Sequence, residues 1–303
     1  MDVYLNGRMV PADQATIHYS DAGFQHAVGL FETMAAFGGR IFRLQPHLER
    51  LALSAKTLGL TPILETGPLA GAVNKTLKHN GLQEARVRLT ITAASQSLRG
   101  PTPGQLPQPT LVIEPTPPTR YDPVYFERGI TVLIAPPLAN PFDPLAGHKT
   151  LSYWSRLRAL RQAASVHAGE AIILNVTNHL AGGAVSNIFL VKDGRLLTPF
   201  ARGEEAEGAL PAPVLPGITR AAVIELAQRR SIDVERRMLS IHDLLDADEI
   251  FLTNSSWQVL PVSAVEKKSI GEGAAGEMTR DLRQALLEMI QDETTRDDTD
   301  GCS

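Results

Sequence analysis

The chain has 303 residues, 43% hydrophobic and 20% charged, with a formal net charge of −4, an ordinary globular composition long enough to suggest two domains. Acids and bases are interspersed without the basic stripe of a nucleic-acid binder, and no apolar run approaches the roughly 20 residues of a membrane span. Cys302 is the one cysteine, which excludes a disulfide framework and a thiolate metal site within one chain.

In chain order, "MDVYLNGRMV" lacks a basic stretch ahead of an apolar core, so a cytoplasmic protein is expected. The same segment reads as strand, turn and strand around Asn6-Gly7, a strong hairpin signal. "FETMAAFGGRIFRL" repeats the device around Gly38-Gly39. In "QPHLERLALSAKTLGL", His47, Leu48, Leu51, Leu53 and Leu58 recur at near-helical spacing up to Gly59. A second helix, "ILETGPLAGAVNKTLKHNGL", stops at Asn80-Gly81, and "ARVRLTITAA" alternates as a half-buried strand does.

From Ser95 to Pro123 prolines cluster around the strand "TLVIE", and "PTPPTRYDP" is the best linker, which sets a boundary near residue 120. Beyond it the strands are short: "GITVLIAP", "AIILNV", "SNIFLVKDG", "RLLTP" and "EIFLTNSS". They are interleaved with the helices "YWSRLRALRQAASV" and "ITRAAVIELAQRR". The fold class is therefore α+β, with a small domain over 1–119, a larger sheet-rich domain over 120–291, and a polar tail over 292–303 expected to be disordered.

The segments "YSDAGFQHAVGLFETM", "GGRIFRLQPHLERLALSAKTLGL", "GHKTLSYW", "SNIFLVKDGRLLTP", "LPGITRAAVIELA" and "DEIFLTNSSWQVLPV" follow one another from about Tyr4 to about Leu287. In that order they resemble the class IV aminotransferases, the pyridoxal 5′-phosphate enzymes of fold type IV. These include branched-chain and D-amino acid aminotransferases and 4-amino-4-deoxychorismate lyases. The resemblance implies a small N-terminal α/β sandwich, a larger C-terminal sheet-rich pseudobarrel that binds the cofactor, and a homodimer. Its substrates would be an amino acid and a 2-oxo acid, with no metal, nucleic acid or membrane partner.

By the same resemblance Lys149 condenses with the cofactor aldehyde and later carries a proton. Both roles need the neutral amine, which an apolar or cation-rich pocket favours. Arg50 in "HLERL" matches the family's phosphate-binding arginine, whose planar fork suits phosphate oxygens; read alone, it is a solvated helix residue. In "LPGITR", Gly217 lets the chain approach an anion, and Ile218 and Thr219 open a helix whose free N–H groups point at it. The resemblance adds Ser255 as a hydroxyl donor to the phosphate and Leu215 as an apolar wall against the ring. Tyr153, four residues after Lys149, lies one helical turn away, a spacing that fits a site residue and a core tyrosine equally. Arg88 and Arg99 are the candidates for a substrate carboxylate, although an arginine on a half-buried strand is more often in a structural ion pair.

Three departures stand out. The family ordinarily carries a glutamate, paired with the pyridine nitrogen, where this chain has Gly182; that carboxylate keeps the nitrogen protonated and the ring electron-accepting. Ala27-Val28 replaces a usual Gly-Asp, and Ala35 stands where many relatives have arginine. The expected function is transfer of an amino group between an amino acid and a 2-oxo acid. Alternatives are a 4-amino-4-deoxychorismate lyase releasing pyruvate and 4-aminobenzoate, favoured by "FETM", "KTLSY" and "FLTNS", and a non-catalytic cofactor binder, motivated by Gly182.

Overall fold

Asn6 and Gly7 take positive φ, 47° and 93°, which turns β1 (Asp2–Leu5) tightly back along β2 (Arg8–Pro11). The computed structural model describes residues 1–93, 109–136 and 139–295. It divides into two units, the first made of residues 1–119, 149–152 and the chain from 289, the second of 120–148 and 153–288.

Unit 1 continues with α1 (Ala22–His26), β3 (Gly29–Phe37), β4 (Arg40–Ile41), α2 (Leu44–Thr57), α3 (Thr66–His79), β5 (Ala85–Thr92) and β6 (Thr110–Thr116). Its six strands form one antiparallel sheet in the order β2-β1-β6-β5-β3-β4. Side chains alternate across a strand. On one face Leu30, Met34 and Ala36 of β3 join Val87, Leu89 and Ile91 of β5 and pack with Leu48, Leu51, Val73 and Leu77 of α2 and α3. The other face of the β3–β5 pair carries Phe31, Thr33 and Ala35 against Thr90, Arg88 and Arg86. Within α2 the buried stripe is His47, Leu48, Leu51 and Ala55. Leu53, grouped with that stripe by spacing, is 65% exposed, because it falls on the opposite side of the 3.6-residue turn.

Unit 2 runs through α4 (Val124–Arg128), β7 (Ile130–Ile134), α5 (Trp154–Ser165), β8 (Glu170–Leu174), β9 (Leu180–Gly183), β10 (Asn187–Lys192) and β11 (Arg195–Thr198). It then adds α6 (Ile218–Arg229), β12 (Val234–Arg236), α7 (Ile241–Leu245), β13 (Glu249–Asn254), β14 (Gln258–Val265), β15 (Lys268–Ser269) and α8 (Glu277–Thr295), whose last turns belong to unit 1. Its mixed sheet has the order β12-β11-β10-β13-β14-β7-β8-β9, with β15 beside β14. Strands β8, β10 and β13 are almost continuously buried, which is why they read as short apolar runs without alternation.

The tail reading needs correction. Helix α8 continues through Thr295, past the Gln291 at which order was expected to end. Thr294 is 5% exposed and Glu293 pairs with Arg43 at 3.0 Å, so residues 292–295 are anchored despite their polar composition. No helix among the described residues is long and apolar enough to cross a membrane.

Candidate active site

The Lys149 segment is held as an extra rung on β3. Phe31 N–H donates to the Lys149 carbonyl at 3.0 Å and Leu151 N–H to the Gly29 carbonyl at 2.9 Å, with Leu30 opposite Thr150. Gly29 is required here, since a Cβ would press into the Leu151 side chain and lie 2.6 Å from the Ile91 carbonyl. With its backbone fixed in this way, Lys149 places Nζ 4.3 Å from the centre of the Phe31 ring. The Arg88 guanidinium lies 3.8 Å from the centre of the same ring, while its Nε donates to Thr90 Oγ1 at 3.2 Å. One buried aromatic thus carries two cations.

These backbone bonds overturn one expectation. The chain from Lys149 to Ser152 is not helical, and Tyr153 is the residue that N-caps α5. The one-turn spacing between Lys149 and Tyr153 therefore has no structural counterpart. The Tyr153 hydroxyl donates to the Ala184 carbonyl at 3.3 Å.

On the helix-covered face of the same sheet, Glu32 meets α2. Its carboxylate accepts from Arg50 Nε at 2.9 Å, from Arg50 Nη2 at 2.6 Å and from His47 Nδ1 at 2.8 Å. Glu32 and His47 are buried, and Arg50 is 11% exposed. Burial pushes the Glu32 carboxyl up, but the Arg50 charge and the His47 hydrogen bond outweigh it and hold it at about 2. His47 is shifted down, chiefly by burial and against the pull of Glu32, so it is a neutral ring donating from Nδ1. Arg50 is accordingly no loosely solvated helix residue; its guanidinium is aimed by a buried carboxylate.

In unit 2 the turn before α6 forms a cup. Gly217 is the N-cap and no side chain caps the helix, which leaves its first N–H groups, from Ile218 and Thr219, to an outside acceptor. A Cβ on Gly217 would collide with Asn187 Oδ1. Asn187 Nδ2 in turn donates to the Leu215 carbonyl at 2.9 Å. Opposite Asn187 on β13 is Thr253, whose hydroxyl is buried without a hydrogen-bond partner. Ser255 lies just beyond β13, half-buried.

The segment from Gly182 to Asn187 leads into this cup. Gly182 takes φ +101°, and a Cβ there would lie 2.8 Å from the Ser186 carbonyl; one on Gly183 would collide with Ser186 Oγ. Behind it, Glu170 is 0% exposed and accepts from Ala171 N–H at 2.9 Å, Val185 N–H at 3.2 Å and Ser186 Oγ at 3.0 Å. Burial pushes this carboxyl up, and those neutral donors only partly oppose it. Arg156 of α5 also binds this segment, donating from Nη1 to the carbonyls of Gly183 at 3.2 Å and Ala184 at 3.0 Å.

The residues singled out from sequence fall into two sets. Lys149, Arg50 and Arg88 belong to unit 1, whereas Tyr153, Leu215, Gly217, Ile218, Thr219 and Ser255 belong to unit 2. Arg99 lies outside the described residues. Glu32, Glu170, Arg156 and Asn187 were not singled out from sequence, and His47 was read only as part of the helical stripe. Two of them had a signal: Glu32 is an acid inside the apolar run "GLFETMAAF", and Glu170 opens the apolar run "EAIIL". An acid in a buried strand demands a partner.

Comparison with known proteins follows the same lines. The family described as amino-transferase class IV matches residues 29–265. A putative branched-chain-amino-acid aminotransferase of Methanocaldococcus jannaschii is 32% identical over 290 residues, covering 95% of this chain and 96% of that protein. The crystal structure of an Escherichia coli branched-chain amino acid aminotransferase is similar with a TM-score of 0.87 at 28% identity, covering 99% of this chain and 97% of that one. That of a 4-amino-4-deoxychorismate lyase from Pseudomonas aeruginosa has a TM-score of 0.78 at 27% identity, covering 94% and 98%.

Proposed function

The chain belongs to the class IV aminotransferases, and from that membership we propose that it uses pyridoxal 5′-phosphate to move an amino group from an amino acid to a 2-oxo acid, with branched-chain amino acids the first substrates to try. The observation that carries the reading is the lysine itself: its backbone is bonded to β3 and its amine is set over Phe31, a placement that a solvated surface lysine does not need.

The residues present fit the cofactor. A phosphate wants uncapped N–H groups and hydroxyls, and α6 begins without a side-chain cap near the unpartnered Thr253 hydroxyl. Gly217, Ile218, Thr219 and Ser255 would hold the phosphate, and Leu215 would wall the ring. Arg50 would add charge, its fork already aimed by Glu32. When bound, the cofactor supplies an electron-accepting ring attached to the substrate nitrogen. Lys149 would hold the cofactor through its aldehyde carbon, and its neutral amine would move a proton at the substrate carbon. Arg88, which shares Phe31 with Lys149, would take the substrate carboxylate. A homodimer in the cytoplasm accompanies this reading, supported by the resemblance to the family.

A second reading, the lyase, is favoured by the likeness to 4-amino-4-deoxychorismate lyase and by the wording "KTLSY". One experiment separates the readings. Cofactor-loaded protein is reduced with borohydride and digested, and the adduct is expected on the peptide containing Lys149; its absence there sinks both. An unreduced sample is then given L-leucine followed by 2-oxoglutarate. An absorbance change that the oxo acid reverses supports amino transfer, whereas pyruvate released from aminodeoxychorismate without an acceptor supports the lyase. Lys149→Ala should abolish the adduct and either activity.

A further inference from the structure

Gly182 leaves the question of what faces the pyridine nitrogen, and unit 2 holds one cation bonded to the carbonyls beside that position. Glu170 is the carboxylate that binds the Gly182–Asn187 segment, but it is sealed at 0% exposure behind that segment, its oxygens taken by Ala171, Val185 and Ser186. A side chain at 182 would be directed at the Ser186 carbonyl, so this backbone does not present a carboxylate from that position either.

Arg156 is built differently. Its Nη1 is anchored on the Gly183 and Ala184 carbonyls, and Tyr153 braces the Ala184 carbonyl from the same end of α5. Among the described residues no hydrogen bond is made by Arg156 Nε or Nη2, and the side chain is half-buried with its Cζ 6.0 Å from the centre of the Tyr153 ring. The anchoring segment is tied to the proposed phosphate cup through Asn187, which holds the Leu215 carbonyl and borders Gly217. By the resemblance to the family, the residue at position 182 faces the pyridine nitrogen, and Arg156 is bonded to the carbonyls of the two residues that follow it.

We propose that Arg156 donates a hydrogen bond to the cofactor's pyridine nitrogen and that this nitrogen is unprotonated in the bound state. A guanidinium cannot accept a hydrogen bond and stays charged at any working pH. Beside the nitrogen it therefore acts in the opposite sense to a carboxylate, opposing protonation as any neighbouring positive charge does. The assignment rests on the cofactor reading above and deepens it: the enzyme works with a less electron-accepting ring, so proton movement relies more heavily on Lys149.

The test uses holoprotein reconstituted with pyridoxal phosphate labelled with 15N in the ring. The expected ring-nitrogen shift is that of an unprotonated pyridine from pH 6 to pH 9, without titration. Arg156→Met should move the shift toward that of a pyridine lacking any donor, and Arg156→Gln, which keeps an N–H for the two carbonyls, should fall between and guard against a folding defect. A protonated nitrogen in the parent protein, or identical shifts in all three proteins, overturns the assignment while leaving the cofactor reading intact. Absence of the borohydride adduct at Lys149 overturns both.

Discussion

Each unit buries one glutamate among hydrogen-bond donors, and the two behave in opposite ways. Glu32 is held at about 2; Glu170 is pushed up from its ordinary value. Both are almost fully inaccessible, at 1% and 0% exposure, and both accept three hydrogen bonds from protein donors. What differs is the charge of the donor. Two of Glu32's bonds come from the Arg50 guanidinium, whereas Glu170 has two backbone amides and a serine. The Arg50 charge together with these hydrogen bonds outweighs burial in the first case, whereas the uncharged donors around Glu170 do not in the second. The unit that carries Lys149 uses a charged carboxylate to aim an arginine; the other unit uses a carboxyl whose pKa burial raises to brace the Gly182–Asn187 segment.

The sharpest way to break that contrast is Glu32→Gln. The substitution removes the buried negative charge to which Arg50 and His47 are hydrogen-bonded, and the expected loss is about 3–5 kcal/mol in urea unfolding at pH 7. The pH dependence has a definite sign. Because the folded carboxyl lies below its ordinary 4.5, its stabilisation is complete above about pH 4.5 and is lost as the pH falls toward about 2. Parent and variant should therefore converge in acid. A variant as stable as the parent at pH 7 would mean that the pair is not charged.

Such pairs explain how far the sequence could be read. Elements with a local cause were legible: the Asn6-Gly7 and Gly38-Gly39 turns, whose residues all take positive φ, and the buried stripe of α2. The candidates Lys149, Gly217 and Ser255 came from contiguous motifs. The Glu32–Arg50 pair spans 18 residues and exists because an even-numbered position of β3 faces α2, a register that no local pattern states. Arg156 looked like one more base in "YWSRLRALRQ", since its role depends on carbonyls 27 and 28 residues later. The one-turn argument for Tyr153 failed because long-range pairing with β3 overrode the local helical pattern. In α8 the polar composition of residues 292–295 concealed the long-range bond to Arg43.

Gly182→Glu, the substitution that would nominally restore the family's carboxylate, comes second in size. At φ +101° the position lies where L side chains are rare, and the new Cβ would sit 2.8 Å from a backbone oxygen that cannot swing away. A loss of about 1–3 kcal/mol is expected, read by thermal unfolding of the cofactor-free protein. Gly182→Ala should lose a comparable amount, because the cost resides in the backbone and not in the charge. If alanine is tolerated and glutamate is not, the penalty is electrostatic and the φ argument is wrong.

The smallest effect, and the one that tests the comparison most directly, is Glu170→Gln. An amide keeps one acceptor oxygen, which can serve Val185 N–H and Ser186 Oγ together but leaves its NH2 against Ala171 N–H, so one bond is lost and about 1–2 kcal/mol of stability with it at pH 5. The parent's carboxyl titrates above its ordinary value in the fold, so its contribution is complete below the unfolded value near 4.5 and declines as the pH rises from there. The glutamine has no such decline. The gap between parent and variant should therefore narrow from pH 5 to pH 8, while the gap for Glu32→Gln widens from about pH 2 to pH 5 and then stays constant. If the Glu170 gap widened with pH as well, that carboxylate would have to carry a stabilised charge, and donor charge would no longer separate the two sites.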